Sequence, residues 1–404
     1  PAQRQRAADI LGRMGSRAVA AAPALVSAVR REEGDGRSAA VYISSLKGIG
    51  PECTPFILDA LAEAKPVELG AEYWVMETIE SYGIRALPYL TEAIGSDRLP
   101  VRVAAITAIG SLGGSAKGSR SQLISAWEDE EPVVRAAALL ALQATGMETD
   151  SLFPLVRSGI ADESAIVRRA TATVIGAATD DDSFVERTAP LMVGALSDED
   201  PQVVVAAAEV IARLESPPEA AVEPLIVCLG SPSEAIQTAA LDALGNFGPA
   251  AASAIESVVQ IAAGDGDQRR VAAISALGAI GEKAREALPV IREAMGADQP
   301  TDLRAAAIAA YARIETDPDV SIPPLLAALD EEQLELRLPA IAALQKLGNA
   351  ADAAAPKLFV LLENDAESEV VLAALREISP RDAELYLPAL RSNEPRVRLS
   401  ACEA

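Results

Sequence analysis

Histidine is absent from all 404 residues, cysteine occurs three times, and aromatic residues make up only 3% of the chain. Without histidine there is no Ser-His or Cys-His nucleophile pair, no histidine-ligated zinc, and no side chain that ordinarily titrates near neutrality. Cys53, Cys228 and Cys402 are widely spaced and each sits in an apolar helical pattern. They are expected as buried free thiols, and a disulfide framework is excluded. No apolar run approaches the roughly 18–20 residues of a membrane-spanning helix; the longest, residues 136–142, belongs to a short helical segment. Strand-type alternation and hairpin dipeptides are nearly absent. No signal peptide is visible, and the chain opens at Pro1 on a helical pattern. A longer N-terminus is therefore expected, and the compartment stays open, with the cytoplasm favoured.

Half of the residues are apolar, mostly alanine, leucine, valine and isoleucine, which suits thin helical layers rather than a large aromatic core. The net charge of −24 is uneven: residues 1–31 carry +5 and residues 32–404 carry −29. An acidic body repels phosphate backbones and attracts basic surfaces, so nucleic acid is excluded as the default partner.

An internal repeat organises the chain. The segment VRVAAITAIGSLG at 101–113 returns as VRAAALLALQATG (134–146), VRRATATVIGAAT (167–179), RRVAAISALGAIG (269–281), LRAAAIAAYARIE (303–315) and LRLPAIAALQKLG (336–348). Twelve such units close at Gly15, Gly50, Gly83, Gly113, Gly146, Thr179, Glu215, Gly248, Gly281, Glu315, Gly348 and Ser379, at spacings of 30 to 36 residues. Val101, Ala105, Ile106, Ile109 and Leu112 fall at helical spacing, and the closing glycine supplies a left-handed cap. A second helix follows each cap, usually with a proline in its early turns: Pro23, Pro88, Pro224, Pro289, the pair at 323–324, and Pro356. Acidic turns then lead into the next unit, at Glu131-Pro132, Asp200-Pro201 and Glu394-Pro395. An acid there can cap the helix, and proline loses nothing at the first helical position.

A helix with Pro and Leu, an Asp/Glu turn, and a Val-Arg helix ending Leu-Gly-x-x-Gly resembles the HEAT repeat, particularly the short, alanine-rich kind first associated with phycobilisome lyases. The resemblance covers essentially the whole chain, with a thirteenth unit beginning at PRVRLSACEA. It implies an all-α, armadillo-like α-solenoid of about twelve two-helix repeats, continuous over 1–404, with truncated repeats at both ends. Arg4, Arg102, Arg135, Arg168, Arg270, Arg304 and Arg337 hold the arginine position, whereas Ala39, Glu72, Val204, Gln237 and Ser368 do not. The arginines are expected to bond turn carboxylates and carbonyls of adjacent repeats.

Three catalytic look-alikes have plainer readings. Ser44-x-x-Lys47 has the spacing of an acylating pair but no accompanying motif. The stretch GGSAKGS at 113–119 lacks the order of a phosphate loop and reads as an inter-helix connection. Acidic clusters at 128–131, 179–182, 197–200, 265–267 and 329–332 lack EF-hand spacing and fall at helix starts, so no metal or other cofactor is expected.

Tyr42, Phe56, Tyr73, Trp74, Tyr82 and Tyr89 are six of only thirteen aromatics, confined to the second and third repeats. Counting the arginine position as zero, Tyr73 at +1 reads as solvent-facing, with Glu77 and Glu80 on polar positions beside it. Trp74 at +2 is borderline, Tyr42 at +3 replaces an alanine, and Tyr82 at +10 is core. Exposed Tyr and Trp among carboxylates suit a protein-binding hot spot. Tyr73, Trp74, Glu77, Glu80 and Tyr42 are therefore the expected partner-binding residues. The expected function is a non-enzymatic acidic scaffold binding a protein with a basic or extended segment, without membrane insertion. The resemblance implies the concave side, lined by the Val-Arg helices, as the binding face. It also implies an alternative: bilin lyase-like handling of a chromophore. HEAT-like DNA glycosylases need a basic groove and HEAT hydroxylases need histidine, so both are excluded.

Overall fold

A computed structural model describes residues 2–31, 36–62, 71–362, 368–378, 387–392 and 395–403. Among these the secondary structure is helical throughout, with no strand, and the fold is an all-α solenoid of paired helices. The chain divides into two compact units, Pro1–Leu191 and Met192–Ala404.

In the first unit the Val-Arg helices are Ala2–Arg13, Gly36–Ile49, Ala71–Tyr82, Leu99–Ser111, Pro132–Ala144 and Ala165–Gly176. Each packs on the next, while the proline helices, such as Ala22–Arg31 and Leu87–Ala93, cover one side. Val101, Ala105, Ile106 and Ile109 are buried as their spacing predicts, and Leu112 is half-buried. Each fully buried leucine or isoleucine contributes about 1.5–3 kcal/mol, so the sandwich of two helical layers is held by many small equal terms.

In the second unit the Val-Arg helices are Pro201–Arg213, Glu234–Phe247, Asp267–Ile280, Thr301–Ile314, Leu334–Leu347 and Ser368–Ile378. Its last repeats share a core of Ile308, Leu325, Leu336, Ile341, Leu344, Leu358 and Phe359. The richness in alanine and glycine has a direct use here. A Cβ placed on Gly278 would lie 2.8 Å from Ala310 Cα of the neighbouring Val-Arg helix, so only glycine permits that approach.

Repeat ends follow the sequence pattern closely. All eight closing glycines have positive φ, from 53° at Gly248 to 122° at Gly50, and most then turn through a short 3-10 helix into the proline helix. Glu315 leaves its helix with extended backbone instead, and Asp317 caps the next helix by accepting from the Asp319 amide at 3.0 Å. That helix, Pro318–Ala328, begins before Pro323 and Pro324, which lie inside it rather than in its early turns.

Two expectations at helix starts divide. Asp200 accepts from the amides of Gln202 at 2.9 Å and Val203 at 3.3 Å. Glu131 makes no such bond; Asp129 Oδ1 instead accepts from the Glu131 amide at 2.9 Å, because the shorter side chain closes the tight turn. Glu394 lies outside the described residues. Cys53 and Cys228 are buried free thiols, but Cys402 is exposed, since the phase of the Pro395–Glu403 helix turns Ala401 inward instead.

Candidate functional site

The arginine positions build a ladder along the turns. Arg135 Nη1 donates to the carbonyls of Asp129 and Glu130, both at 3.0 Å, in the turn before its own helix. Its Nε and Nη2 reach Asp162 of the next repeat at 3.0 and 2.8 Å. Arg102 repeats the pattern with the Ser96 carbonyl at 3.1 Å and Asp129 at 3.2 Å. Arg168 and Arg337 likewise hold the carbonyls of residues 162–163 and 331–332, and Arg304 pairs with Glu331. Arg102, Arg135 and Arg304 thereby join neighbouring repeats, as expected. Arg4, by contrast, is exposed.

Where the arginine is missing, the ladder adapts. Gln237 Nε2 donates to the carbonyls of Leu229 at 3.0 Å and Ser231 at 2.9 Å, doing the local work of the arginine without its charge. Val204 is buried and contributes no polar group.

The aromatic cluster separates into two layers. Tyr73 is 76% exposed on the Ala71–Tyr82 helix, with Glu77 and Glu80 exposed along the same face. Lys47 Nζ donates to Glu77 Oε1 at 2.7 Å, which ties this face to the preceding repeat and takes the lysine away from any chemistry with Ser44. Trp74 and Tyr42, by contrast, are buried at 6% and 2% exposure, so the expectation that they present themselves to a partner is corrected. The reason is helical phase: +2 and +3 rotate past the solvent-facing edge into the layer between helices. Trp74 supports the face from beneath, its helix held further by the Thr78 hydroxyl on the Trp74 carbonyl at 2.6 Å. Tyr82 is core, and its hydroxyl donates to the Leu46 carbonyl at 2.8 Å. Burial, with the charges of Cys53 and Glu52, pushes that phenol well above its ordinary pKa, so it stays a donor. The side chain of Glu72 lies outside the described residues.

Sequence reasoning missed a second feature. In Met192–Ala404 a groove of about 620 Å³ crosses the Pro201–Arg213, Glu234–Phe247 and Asp267–Ile280 helices. Val205, Thr238 and Ala239 line it together with the acids Glu209, Glu234, Asp242 and Asp267 and one cation, Arg269. Desolvation, then the like charge of Glu209, push the Asp242 carboxyl above its ordinary pKa. The available signal was the pair of arginine-free positions, Val204 and Gln237, each followed five residues later by an acid, Glu209 and Asp242.

A family model for HEAT repeats matches residues 87–176, 188–278 and 222–312, which together span more than half of the chain. The chain belongs to the HEAT-repeat family. The match is to HEAT repeats at large and does not distinguish the phycobilisome-lyase-like kind from others. No curated protein sequence matches this HEAT-repeat protein. Among solved structures, it is similar to an engineered protein, with 19% identity and a TM-score of 0.51 over 87% of this chain and 97% of that one. It is also similar to Kap95p, solved in a study of its binding to RanGDP, with 16% identity and a TM-score of 0.51 over 95% of this chain and 56% of Kap95p. The HEAT-repeat protein thus spans about half the length of Kap95p, and at these identities the likeness is one of fold.

Proposed function

We propose that this HEAT-repeat protein is a non-enzymatic scaffold, working as one continuous repeat array, that binds a protein partner along the concave face of its Val-Arg helices. The observation that carries this reading is Tyr73, a 76% exposed aromatic in a chain with few aromatics, set beside the carboxylates of Glu77 and Glu80. Tyrosine gives a large contact area for little rotamer entropy, and flanking carboxylates favour a basic segment. Trp74 and Tyr42 belong to this site as the packed layer beneath it. The net charge of −24 would speed encounter with a positively charged partner. Kap95p, which shares the fold, binds another protein, RanGDP, and that is in keeping with the proposal.

The test is affinity capture from a lysate of the source cells with the immobilised chain, its Tyr73→Ala/Glu80→Lys variant, and low and high salt. A partner retained by the native chain, lost with the variant and weakened by salt is the expected result. Capture of the same proteins by both forms, unaffected by salt, overturns the assignment of this face.

A further inference from the structure

We infer that the groove across the Pro201–Arg213, Glu234–Phe247 and Asp267–Ile280 helices is a receptor for an arginine or lysine side chain on an extended segment of a protein partner. This rests on the reading that the Val-Arg face binds protein, and it adds a second contact with a defined chemistry.

The shape comes first. The groove holds about 620 Å³, with the small residues Val205, Thr238 and Ala239 in its lining beside the longer side chains of Glu209, Glu234 and Arg269. An aliphatic stem can lie along such small residues while its charged head reaches the walls. Those walls carry Glu209 and Asp242, which occupy the same register on successive helices.

Charge decides the occupant. At Arg102, Arg135 and Arg304 the ladder guanidinium reaches a carboxylate of the next repeat. At this groove the two ladder positions are Val204 and Gln237, so the ladder supplies no guanidinium. Arg269, which lines the groove, is already engaged: Nη1 donates to Gln237 Oε1 at 3.0 Å, and Nη2 lies 2.8 Å from the Asp265 carbonyl and 3.2 Å from Glu234. The one cation of the lining is thus paired with Glu234 rather than shared between Glu209 and Asp242, and the mutual repulsion of these two is relieved by a cation brought from outside. A bare metal ion fits less well, because among the described residues no group of three or more His, Cys, Asp or Glu is placed to hold one. A guanidinium or ammonium carries several N–H donors, enough to serve two carboxylates.

The experiment measures binding of a fluorescein-labelled oligo-arginine peptide, and of its neutral citrulline counterpart, to the full chain by fluorescence anisotropy. Three proteins are compared: the native chain, Glu209→Gln/Asp242→Asn, and Glu286→Gln/Glu293→Gln, which removes the same charge from exposed positions outside the groove. Circular dichroism melting checks that all three remain folded. The groove variant should weaken oligo-arginine binding about tenfold or more, the control variant less than about twofold, and citrulline should bind poorly to all. Equal weakening by both variants, or equal binding of citrulline, overturns the inference. Binding of spermine but not of the peptide reassigns the groove to small polyamines and overturns it as well. Failure here leaves the Tyr73 capture result unaffected, and loss of the Tyr73 effect leaves the peptide result unaffected, so the two readings fail separately.

Discussion

Arg135 and Asp162 lie in successive repeats and meet through two parallel hydrogen bonds, Nε to Oδ2 at 3.0 Å and Nη2 to Oδ1 at 2.8 Å, with both side chains only 13% exposed. The same guanidinium holds two turn carbonyls, so its removal leaves several groups unsatisfied at once. Arg135→Ala should lower the free energy of unfolding by about 2 kcal/mol or more. Arg13→Ala breaks only an exposed pair with Asp9 and should change it by less than about 0.5 kcal/mol. Urea unfolding of both variants against the native chain checks the contrast; equal effects would show that the ladder does not couple the repeats.

The same pair sets a pH dependence. Burial pushes the Asp162 carboxyl up, but hydrogen bonds from Arg135 and the Ser164 amide, with the charges of Arg135 and Arg168, outweigh it and hold the group below its ordinary value. A carboxylate depressed in the folded state binds fewer protons there than in the unfolded chain. Its stabilisation is complete above the unfolded value near about 4 and is lost as pH falls through the folded value. The stability gap between the native chain and Asp162→Asn should be constant above about pH 5 and close progressively below about pH 4. Thermal melts across that range measure it.

Adjacent aromatics should behave oppositely. Trp74→Ala empties a buried site and should cost about 3–5 kcal/mol, whereas Tyr73→Ala, at a 76% exposed position, should stay within about 0.5 kcal/mol. If both variants melt alike, the two layers have been misplaced. With the expected contrast, Tyr73→Ala is the clean probe of binding and Trp74→Ala is not.

Thiol chemistry should single out one cysteine. Burial, followed by the charge of Glu52, pushes the Cys53 thiol up to about 11, and burial raises Cys228 as well, while Cys402 is exposed. Since the thiolate is the reactive form, a disulfide reagent such as Ellman's should show one fast phase in the folded chain, removed by Cys402→Ser. Full reaction of all three should follow only on unfolding. A fast phase that survives Cys402→Ser contradicts this placement.

Much of this protein is legible along the chain because each repeat is built from local signals. The positive-φ glycines, the prolines of helix first turns and the helical spacing of alanine, leucine and isoleucine act within one repeat. The recurrence of arginine near every thirty-third residue even foretells the ladder. What the chain alone leaves undecided is of two kinds. Side chains at the edge of a helical face, such as Tyr73 and Trp74, differ by one step of about 100°, and only packing against the neighbouring repeats decides which is covered. Groups a full repeat apart, such as Glu209 and Asp242, share a groove only because stacking brings equivalent positions of successive helices side by side. Sequence determined the repeat; the tertiary stack decided which of its residues meet solvent and which acids face one another.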